Sequence, residues 1–280
     1  MKKIPLSILA LRLYFNSIGK LFPSKTASYL IKLFSTPRSR VIREKEVEVL
    51  KKAKKERMRF EGEELVIYEW GNGNNYALLC HGWESNAGCL GAFVPLLMEK
   101  GYKVIAFDGP AHGSSEGKQA TLISFTNVAK QVIKKYGLPE IAMGHSLGAN
   151  VIMLLCYEQK IAIEKCVLIS PVNRIRSVFD GFKAIFKIPE NIYQNMIEKI
   201  SQRANYRLDD LLFEKLVTET KYNQVLLMHD RDDKITPVSH SEAIAKNWKE
   251  VNFKPIQGSG HYKILWHDQT IEYVKEFLKS

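Results

Sequence analysis

The chain has 280 residues, 45% hydrophobic and 25% charged, which excludes disordered, collagen-like and coiled-coil proteins. Its net charge of +11 would by itself indicate nucleic acid, a membrane surface or an acidic substrate. However, residues 1–60 hold 16 basic and only 4 acidic residues, whereas residues 61–280 hold 25 basic and 26 acidic ones. A nucleic-acid enzyme concentrates basic residues around its site, so we expect no nucleic-acid partner.

The N-terminal region is apolar as well as basic. Residues 6–20 and 26–34 predict two short helices, broken by Pro23 and Pro37. Three interpretations stay open: an extension that packs its apolar side on the main domain, peripheral contact of residues 1–43 with an anionic membrane, or organellar targeting. The packed extension is favoured because apolar stripes usually face a core.

Localisation signals are weak. Arg12 interrupts the apolar run after the start of the chain, and the absence of a clear cleavage site argues against a secretory signal. No apolar stretch reaches the roughly 18–20 residues of a transmembrane helix. We expect a cytoplasmic protein, or one peripheral to the inner membrane surface. The four cysteines lack a C-x-x-C spacing and predict buried free thiols: Cys80, Cys89, Cys156 and Cys166.

From residue 60 onward, short apolar runs alternate with segments of helical length, as in parallel β-α-β units whose strands are buried on both faces. The predicted strands cover 65–70, 76–80, 103–107, 141–143, 166–169, 225–228 and 251–255. The predicted helices cover 87–100, 120–136, 147–159, 238–249 and 263–279. We therefore expect an α/β fold with a mostly parallel central sheet flanked by helices.

Three further segments complete the predicted organisation. The Gly/Asn-rich residues 71–75 predict a tight turn and an antiparallel hairpin between the first two strands. Residues 44–57 predict a charged linking helix, and residues 174–222 are helical with no strand pattern. The predicted division is a helical extension over 1–58 and a larger domain over 59–280.

Residues 144–148 read Gly-His-Ser-Leu-Gly, directly after a predicted strand and at the start of an apolar helix. In this context the Gly-x-Ser-x-Gly spacing predicts a nucleophile elbow, a strained turn that projects Ser146 above the sheet. The glycines remove Cβ atoms that would collide where strand and helix meet. An ordinary glycine-rich turn is the alternative.

A serine hydroxyl needs a base to become nucleophilic, and His261 is the best placed of the seven histidines. It lies in a flexible loop after the last predicted strand. The orienting acid is expected between the two, in the order serine, acid, histidine. Asp233 is favoured over Asp230 and Asp232, which are expected to shape the turn.

Acyl transfer also needs donors for a developing oxyanion. The backbone N–H of Leu147 and that of Trp83, in the loop after an earlier strand, are the predicted pair. Trp83 is also expected to wall the acyl pocket, with a core position as its alternative. The residues predicted to border the substrate are His81, Gly82, Trp83 and His145.

Together these residues resemble the α/β-hydrolase superfamily, serine-nucleophile branch, over residues 60–280. The resemblance rests on five motifs in order: residues 81–83, residues 108–115, the elbow around Ser146, Asp233 to Pro237, and Gly260-His261. It is similar to bacterial hydrolases whose basic, apolar extension ends in Thr-Pro-Arg, here residues 36–38. The resemblance implies the α/β-hydrolase fold, with residues 174–222 as a small helical cap over the active site.

The resemblance and the triad residues imply a serine hydrolase that cleaves carboxylic esters or thioesters through an acyl-enzyme. The expected partner is a small acyl ester, and we expect neither a metal nor an organic cofactor. Acyl transfer or peptide hydrolysis with the same triad stays open, as does a non-catalytic binding protein on this fold.

Overall fold

The computed structural model of the chain describes residues 5–249 and 251–279. In chain order the strands are β1 (Lys54–Phe60), β2 (Glu63–Trp70), β3 (Tyr76–Cys80), β4 (Lys103–Phe107), β5 (Ile141–His145), β6 (Lys165–Ile169), β7 (Gln224–Asp230) and β8 (Val251–Ile256). The helices are α1 (Leu6–Asn16), α2 (Ile18–Leu21), α3 (Pro23–Ser35), α4 (Glu44–Lys51), α5 (Val94–Glu99), α6 (Leu122–Tyr136), α7 (Leu147–Gln159), α8 (Ile175–Phe186), α9 (Glu190–Ala204), α10 (Phe213–Leu216), α11 (Ser239–Asn247), α12 (Gly260–Lys263) and α13 (Asp268–Phe277).

Two compact units divide the chain. One, here called the helical unit, consists of Met1–Thr36 and Arg174–Leu212; the other, the sheet unit, consists of Pro37–Asn173 and Phe213–Ser280. This division differs from the one expected at residue 58, because the segment from Pro37 onward, with α4 and β1, belongs to the sheet unit.

The sheet unit is organised by one sheet with the strand order β1-β2-β4-β3-β5-β6-β7-β8. Strand β2 runs antiparallel to β1 and to β4, and every pair from β4 to β8 is parallel. The inner strands read as continuous apolar runs because both of their faces are covered; every residue of β3 and β5 is buried.

The predicted hairpin between β2 and β3 is wrong, because β4 lies between these strands in the sheet. The hairpin instead joins β1 to β2 through Glu61 and Gly62, which both have positive φ angles of 50° and 88°. Two consecutive residues with positive φ form a turn whose own twist matches the right-handed twist of paired strands. The predicted helix over 44–57 is likewise only half correct, since α4 ends at Lys51 and β1 follows.

Helices cover the sheet on two sides, which buries the inner strands on both faces. Helices α5 and α13, with a 3₁₀ helix over Ala87–Phe93, pack against a core that includes Val66 and Tyr68 of β2 and Leu79 of β3. Helix α7 packs on β3, β5 and β6 and contacts α6. The sheet thereby becomes a rigid base whose strand ends carry the loops described below.

The helical unit contains α1–α3 together with α8 and α9. Helix α3 packs along α9, and α1 contacts α8. The N-terminal extension is therefore packed, and within this unit its partner is the segment expected to form the cap. Between Arg174 and Leu212 the described chain contains no strand, only one isolated bridge between these two residues. Among all described residues, none of the helices combines the length and apolar character needed to cross a membrane.

Candidate active site

Ser146 occupies the sharp turn between β5 and α7. Its φ of 52° and ψ of −120° fall outside the regions that side-chain-bearing residues normally occupy. The backbone N–H of Ser146 donates to the carbonyl of Ile169 at 2.8 Å, which ties the turn to the end of β6. Ser146 is half-buried, so its side chain is accessible at the carboxyl edge of the sheet.

Glycines allow three backbone segments to meet at this turn. A Cβ at Gly148 would overlap the carbonyl oxygen of Cys80, and a Cβ at Gly144 would overlap the backbone of Gly148. A Cβ at Gly82 would lie 3.2 Å from the Cβ of Ser146. The loop after β3 therefore passes directly beside the elbow, in agreement with the steric role expected for the glycines of the motif.

Two backbone donors border the turn. Leu147 is the first residue of α7, where N–H groups have no partner inside the helix. Trp83 follows Gly82 in the adjoining loop. Within the described part of the chain, neither the Leu147 N–H nor the Trp83 N–H makes a hydrogen bond to another protein group. Both residues are half-buried, so these donors are free for an external acceptor.

Asp233 and His261 are brought together by the loops after β7 and β8. His261 Nδ1 lies 2.6 Å from Asp233 Oδ2, and both residues are only 6% exposed. The other carboxylate oxygen of Asp233 accepts from the N–H groups of Ile235 and Thr236 at 2.8 and 2.9 Å. Burial alone would raise the pKa of Asp233, but hydrogen bonds from His229 and His261 hold that pKa well below its ordinary value. Asp233 is therefore ionised at neutral pH.

The two neighbouring carboxylates hold the residues that lead into α12, the short helix that carries His261. Asp230 Oδ2 accepts from the N–H of Ser259 at 2.7 Å and also from its hydroxyl. Asp232 Oδ2 accepts from the N–H of Gly258 at 3.1 Å. These bonds occupy Asp230 and Asp232 in shaping the loop, and Asp233 alone of the three contacts His261.

His145 holds His261 from the opposite side, and this role was not predicted from the sequence. Its Nε2–H donates to the His261 backbone carbonyl at 2.8 Å, and the two rings lie 4.7 Å apart. Burial, together with the nearby His261 ring, lowers the pKa of His145 to about 3, so the ring is neutral. The residue is only 1% exposed, and its predicted contact with the substrate stays a prediction.

His229 is a second contact of Asp233 that sequence reasoning missed. Its Nε2 lies 2.7 Å from the Thr236 carbonyl and 3.3 Å from Asp233 Oδ2, and its Nδ1 lies 2.7 Å from the Ser241 hydroxyl. An N–H at Nε2 therefore supports the carboxylate while Nδ1 accepts from Ser241. The sequence signal that could have indicated this contact is the spacing of four residues between His229, near the end of β7, and Asp233.

His81 shapes the loop after β3, and its predicted contact with the substrate stays a prediction. Its Nδ1–H donates to the Gly82 carbonyl at 2.7 Å, and its Nε2 accepts from the Gly109 N–H at 3.0 Å. Both ring nitrogens are thus occupied, and the residue is 1% exposed. The Trp83 ring packs edge-on against His112 with centroids 5.0 Å apart, and only part of it is buried.

Comparison with known proteins gives similarities along most of the chain. A family model described as serine aminopeptidase, S33, matches residues 74–231. "Putative esterase/lipase 2" of Mycoplasma genitalium is 23% identical over 245 residues, which are 74% of this chain and 90% of that protein. A serine hydrolase-like protein of Dictyostelium discoideum is 27% identical over 135 residues, 44% of this chain; the match spans only 36% of that relative's length.

A solved structure extends the similarity to three dimensions. An esterase of Pyrococcus furiosus aligns with a TM-score of 0.65 and 20% identity, covering 87% of this chain and 98% of that one. At this identity the similarity concerns the fold alone. In this chain, Ser146, Asp233 and His261 each follow the carboxyl end of a parallel strand, where α/β proteins bind ligands.

Proposed function

This chain belongs to the α/β-hydrolase superfamily, within the family described as serine aminopeptidase, S33, and on that premise we propose that it hydrolyses carboxylic esters with Ser146 as nucleophile. The observation that carries the proposal is the 2.6 Å contact between His261 Nδ1 and Asp233 Oδ2 at the sheet edge that also presents the strained Ser146 turn. This arrangement has the elements of a serine, histidine and acid triad.

In the proposed reaction, His261 Nε2 removes the proton from the Ser146 hydroxyl as its oxygen attacks the ester carbonyl. The ionised Asp233 fixes the proton on Nδ1 and stabilises the imidazolium that forms. Collapse of the tetrahedral intermediate breaks the ester bond, and the alcohol leaves with the proton held by His261. Water then repeats the same steps on the acyl-enzyme and releases the carboxylic acid.

The N–H groups of Leu147 and Trp83 supply the proposed oxyanion hole. Their freedom from other hydrogen bonds among the described residues supports this role, as does the closeness of Gly82 to Ser146. Backbone donors held in place before the reaction need no reorganisation when the negative charge develops. The N-terminus of α7 adds a favourable dipole beneath the oxyanion.

A fluorophosphonate probe tests the nucleophile directly, because it forms a covalent adduct only with an activated serine. The unmodified chain is expected to be labelled at Ser146, and Ser146→Ala to lose both the label and the hydrolysis of short esters by a factor of about 10⁶. Ser114→Ala, at an exposed serine of the sheet unit, is the matched control and should react like the unmodified chain. Labelling and turnover retained in Ser146→Ala would refute the assignment.

The acid is tested by comparing two neighbouring aspartates. Asp233→Asn should lower kcat by about 10⁴, because the amide no longer holds the required His261 tautomer. Asp232→Asn should retain most activity, since among the described residues the Asp232 carboxylate makes one hydrogen bond, to the Gly258 N–H. Equal losses in both variants would overturn the choice of Asp233.

Peptide hydrolysis is the second candidate, favoured by the description of the matching family. An aminopeptidase also needs an anionic group to pair with the free amino terminus of its substrate. Asp230 and Asp233 are buried and hydrogen-bonded to the neighbouring loops, which leaves the exposed Asp232 as the one carboxylate of the three open to solvent and favours the ester. Parallel assays with acyl esters of increasing chain length and with aminoacyl anilides separate the two; faster turnover of the anilides would establish the peptidase.

A further inference from the structure

Exposed apolar side chains are concentrated at the N-terminal end of the helical unit. Of fifteen large hydrophobic residues that are exposed in the described chain, eight lie within the short stretch from Leu6 to Tyr29. Leu6, Leu13 and Leu21 are 83%, 72% and 73% exposed. Single exposed leucines are ordinary, but a cluster of this kind marks a surface that contacts another apolar phase.

The geometry of α1 separates a packed side from an apolar outer side. Leu6, Leu9 and Leu13 are spaced by three and four residues, which places them within about 60° of one another around the helix. Phe15 lies on the other side of α1, where it is fully buried and packs edge-on against Phe186 of α8, with ring centroids 6.5 Å apart. The leucine stripe therefore faces away from the core of its own unit.

The helices that carry this stripe are firmly held. Arg12 donates from Nε and Nη2 to the Ile185 carbonyl at 2.9 and 2.7 Å, and Asn16 donates to the Lys187 carbonyl at 3.0 Å. Further along, Phe34 stacks on Phe182 with centroids 4.2 Å apart. Packing and an exposed apolar side thus coexist, so the packed extension and a membrane contact are not exclusive alternatives.

Basic side chains lie on exposed positions of α2 and α3 in the same unit. Lys25, Tyr29 and Lys32 lie along one side of α3, opposite the buried residues that pack within the unit: Thr26, Ala27, Leu30 and Ile31. Lys20 is exposed on α2. Residues 1–36 contain six basic residues and no acidic one. The occupant of this surface must therefore combine an apolar interior with negative charge.

We propose that the α1–α3 surface, defined by Leu6, Leu9, Leu13, Ile18, Leu21 and Phe22 with Lys20, Lys25 and Lys32, docks on the face of an anionic lipid bilayer. The apolar side chains enter the boundary between headgroups and acyl chains, and the lysines pair with anionic headgroups. Helix α1 is about 16 Å long, about half the hydrocarbon thickness, so it lies along the surface. A second copy of the chain is disfavoured, because a symmetric contact would bring the same lysines together.

Cosedimentation of the full chain with vesicles tests this inference independently of any catalytic activity. The protein is expected to pellet with vesicles of phosphatidylcholine and phosphatidylglycerol, to bind vesicles of phosphatidylcholine alone far more weakly, and to be released by high salt. Absence of binding, or equal salt-independent binding to both vesicles, overturns the proposal.

The leucine stripe is tested by combining Leu6→Ser, Leu9→Ser and Leu13→Ser. Each exposed leucine that enters the bilayer contributes about tenfold in partitioning, so this variant should bind at least about a hundredfold more weakly. Met98→Ser with Leu138→Ser, at exposed apolar residues of the sheet unit, is the matched control and should bind unchanged. Circular dichroism verifies that both variants are folded; equal losses of binding in folded variants refute the assigned surface.

The charge requirement is tested by a lysine set. Lys20→Gln, Lys25→Gln and Lys32→Gln should each weaken binding about fivefold. The same change at three exposed lysines of the sheet unit, Lys100, Lys118 and Lys134, is the control and should have little effect. Light scattering without vesicles compares self-association of the unmodified chain and of the leucine variant. If the unmodified chain self-associates and the leucine variant does not, the surface is an interface between copies and the bilayer proposal is refuted.

Discussion

Because the backbone at Ser146 is strained, we expect glycine to stabilise the fold more than alanine there, which is the reverse of their order at an ordinary helix position. The Ser146 φ of 52° and ψ of −120° cost about 1–3 kcal/mol for any residue with a Cβ, whereas glycine adopts them freely. Glycine loses about 0.5–1 kcal/mol more in backbone entropy on folding. Ser146→Gly should therefore be about 0.5–2 kcal/mol more stable than Ser146→Ala. Both variants lack the hydroxyl, so the comparison isolates the backbone, and both should be inactive.

Urea unfolding followed by tryptophan fluorescence measures this difference, because all four tryptophans belong to the sheet unit. Gln131, exposed in the interior of α6, provides the control pair. There Gln131→Gly should be about 1 kcal/mol less stable than Gln131→Ala, the opposite order. If Ser146→Gly is as unstable as Ser146→Ala or less stable, the turn stores no strain and the reasoning is refuted.

Two further predictions concern the buried histidines. Burial lowers the pKa of His81 to about 4, and burial with a neighbouring histidine ring lowers the pKa of His112 and of His145 to about 3. Below about pH 6.5 the unfolded chain gains protons that the folded chain excludes. Unfolding experiments should therefore show the free energy of unfolding falling by about 2 kcal/mol for each of these histidines between pH 7 and pH 5; constant stability contradicts this. For the proposed esterase, His145→Ala should lower kcat about tenfold at nearly constant KM, because the hydrogen bond to the His261 carbonyl is lost. His145→Gln should recover part of the lost kcat. An unchanged kcat in the alanine variant would exclude a positioning role for His145.

The inner part of the sheet could be predicted from local pattern. Strands β3 to β7 are buried on both faces, so their sequences are continuous apolar runs that need no knowledge of their neighbours. The α/β-hydrolase fold expected from the ordered motifs is confirmed by the family and structural similarities. Strand β1 was missed because an edge strand with charged, exposed residues resembles a charged helix until its partner β2 is known.

At the site, the order of Ser146, Asp233 and His261 along the chain was sufficient to select these residues as a candidate triad. The roles of His145 and His229 were not accessible in this way. Each acts through a single hydrogen-bonding nitrogen directed at a residue on another loop, and no local spacing determines which loop that is.

The amino-acid sequence by itself determined where the charge excess lies, which segments are strands buried in the sheet, and which turn is strained around Ser146. These properties follow from local composition, hydrophobic periodicity and the steric requirements of glycine. Only the tertiary structure decided the order of β2, β4 and β3, the two histidines that support Asp233 and His261, and the packing of α1–α3 on α8 and α9. The physical reason is that an apolar helix pattern specifies only that one side of the helix is buried. The packing of the whole unit selects which helices cover that side, and here α8 and α9 lie more than a hundred residues away in the chain.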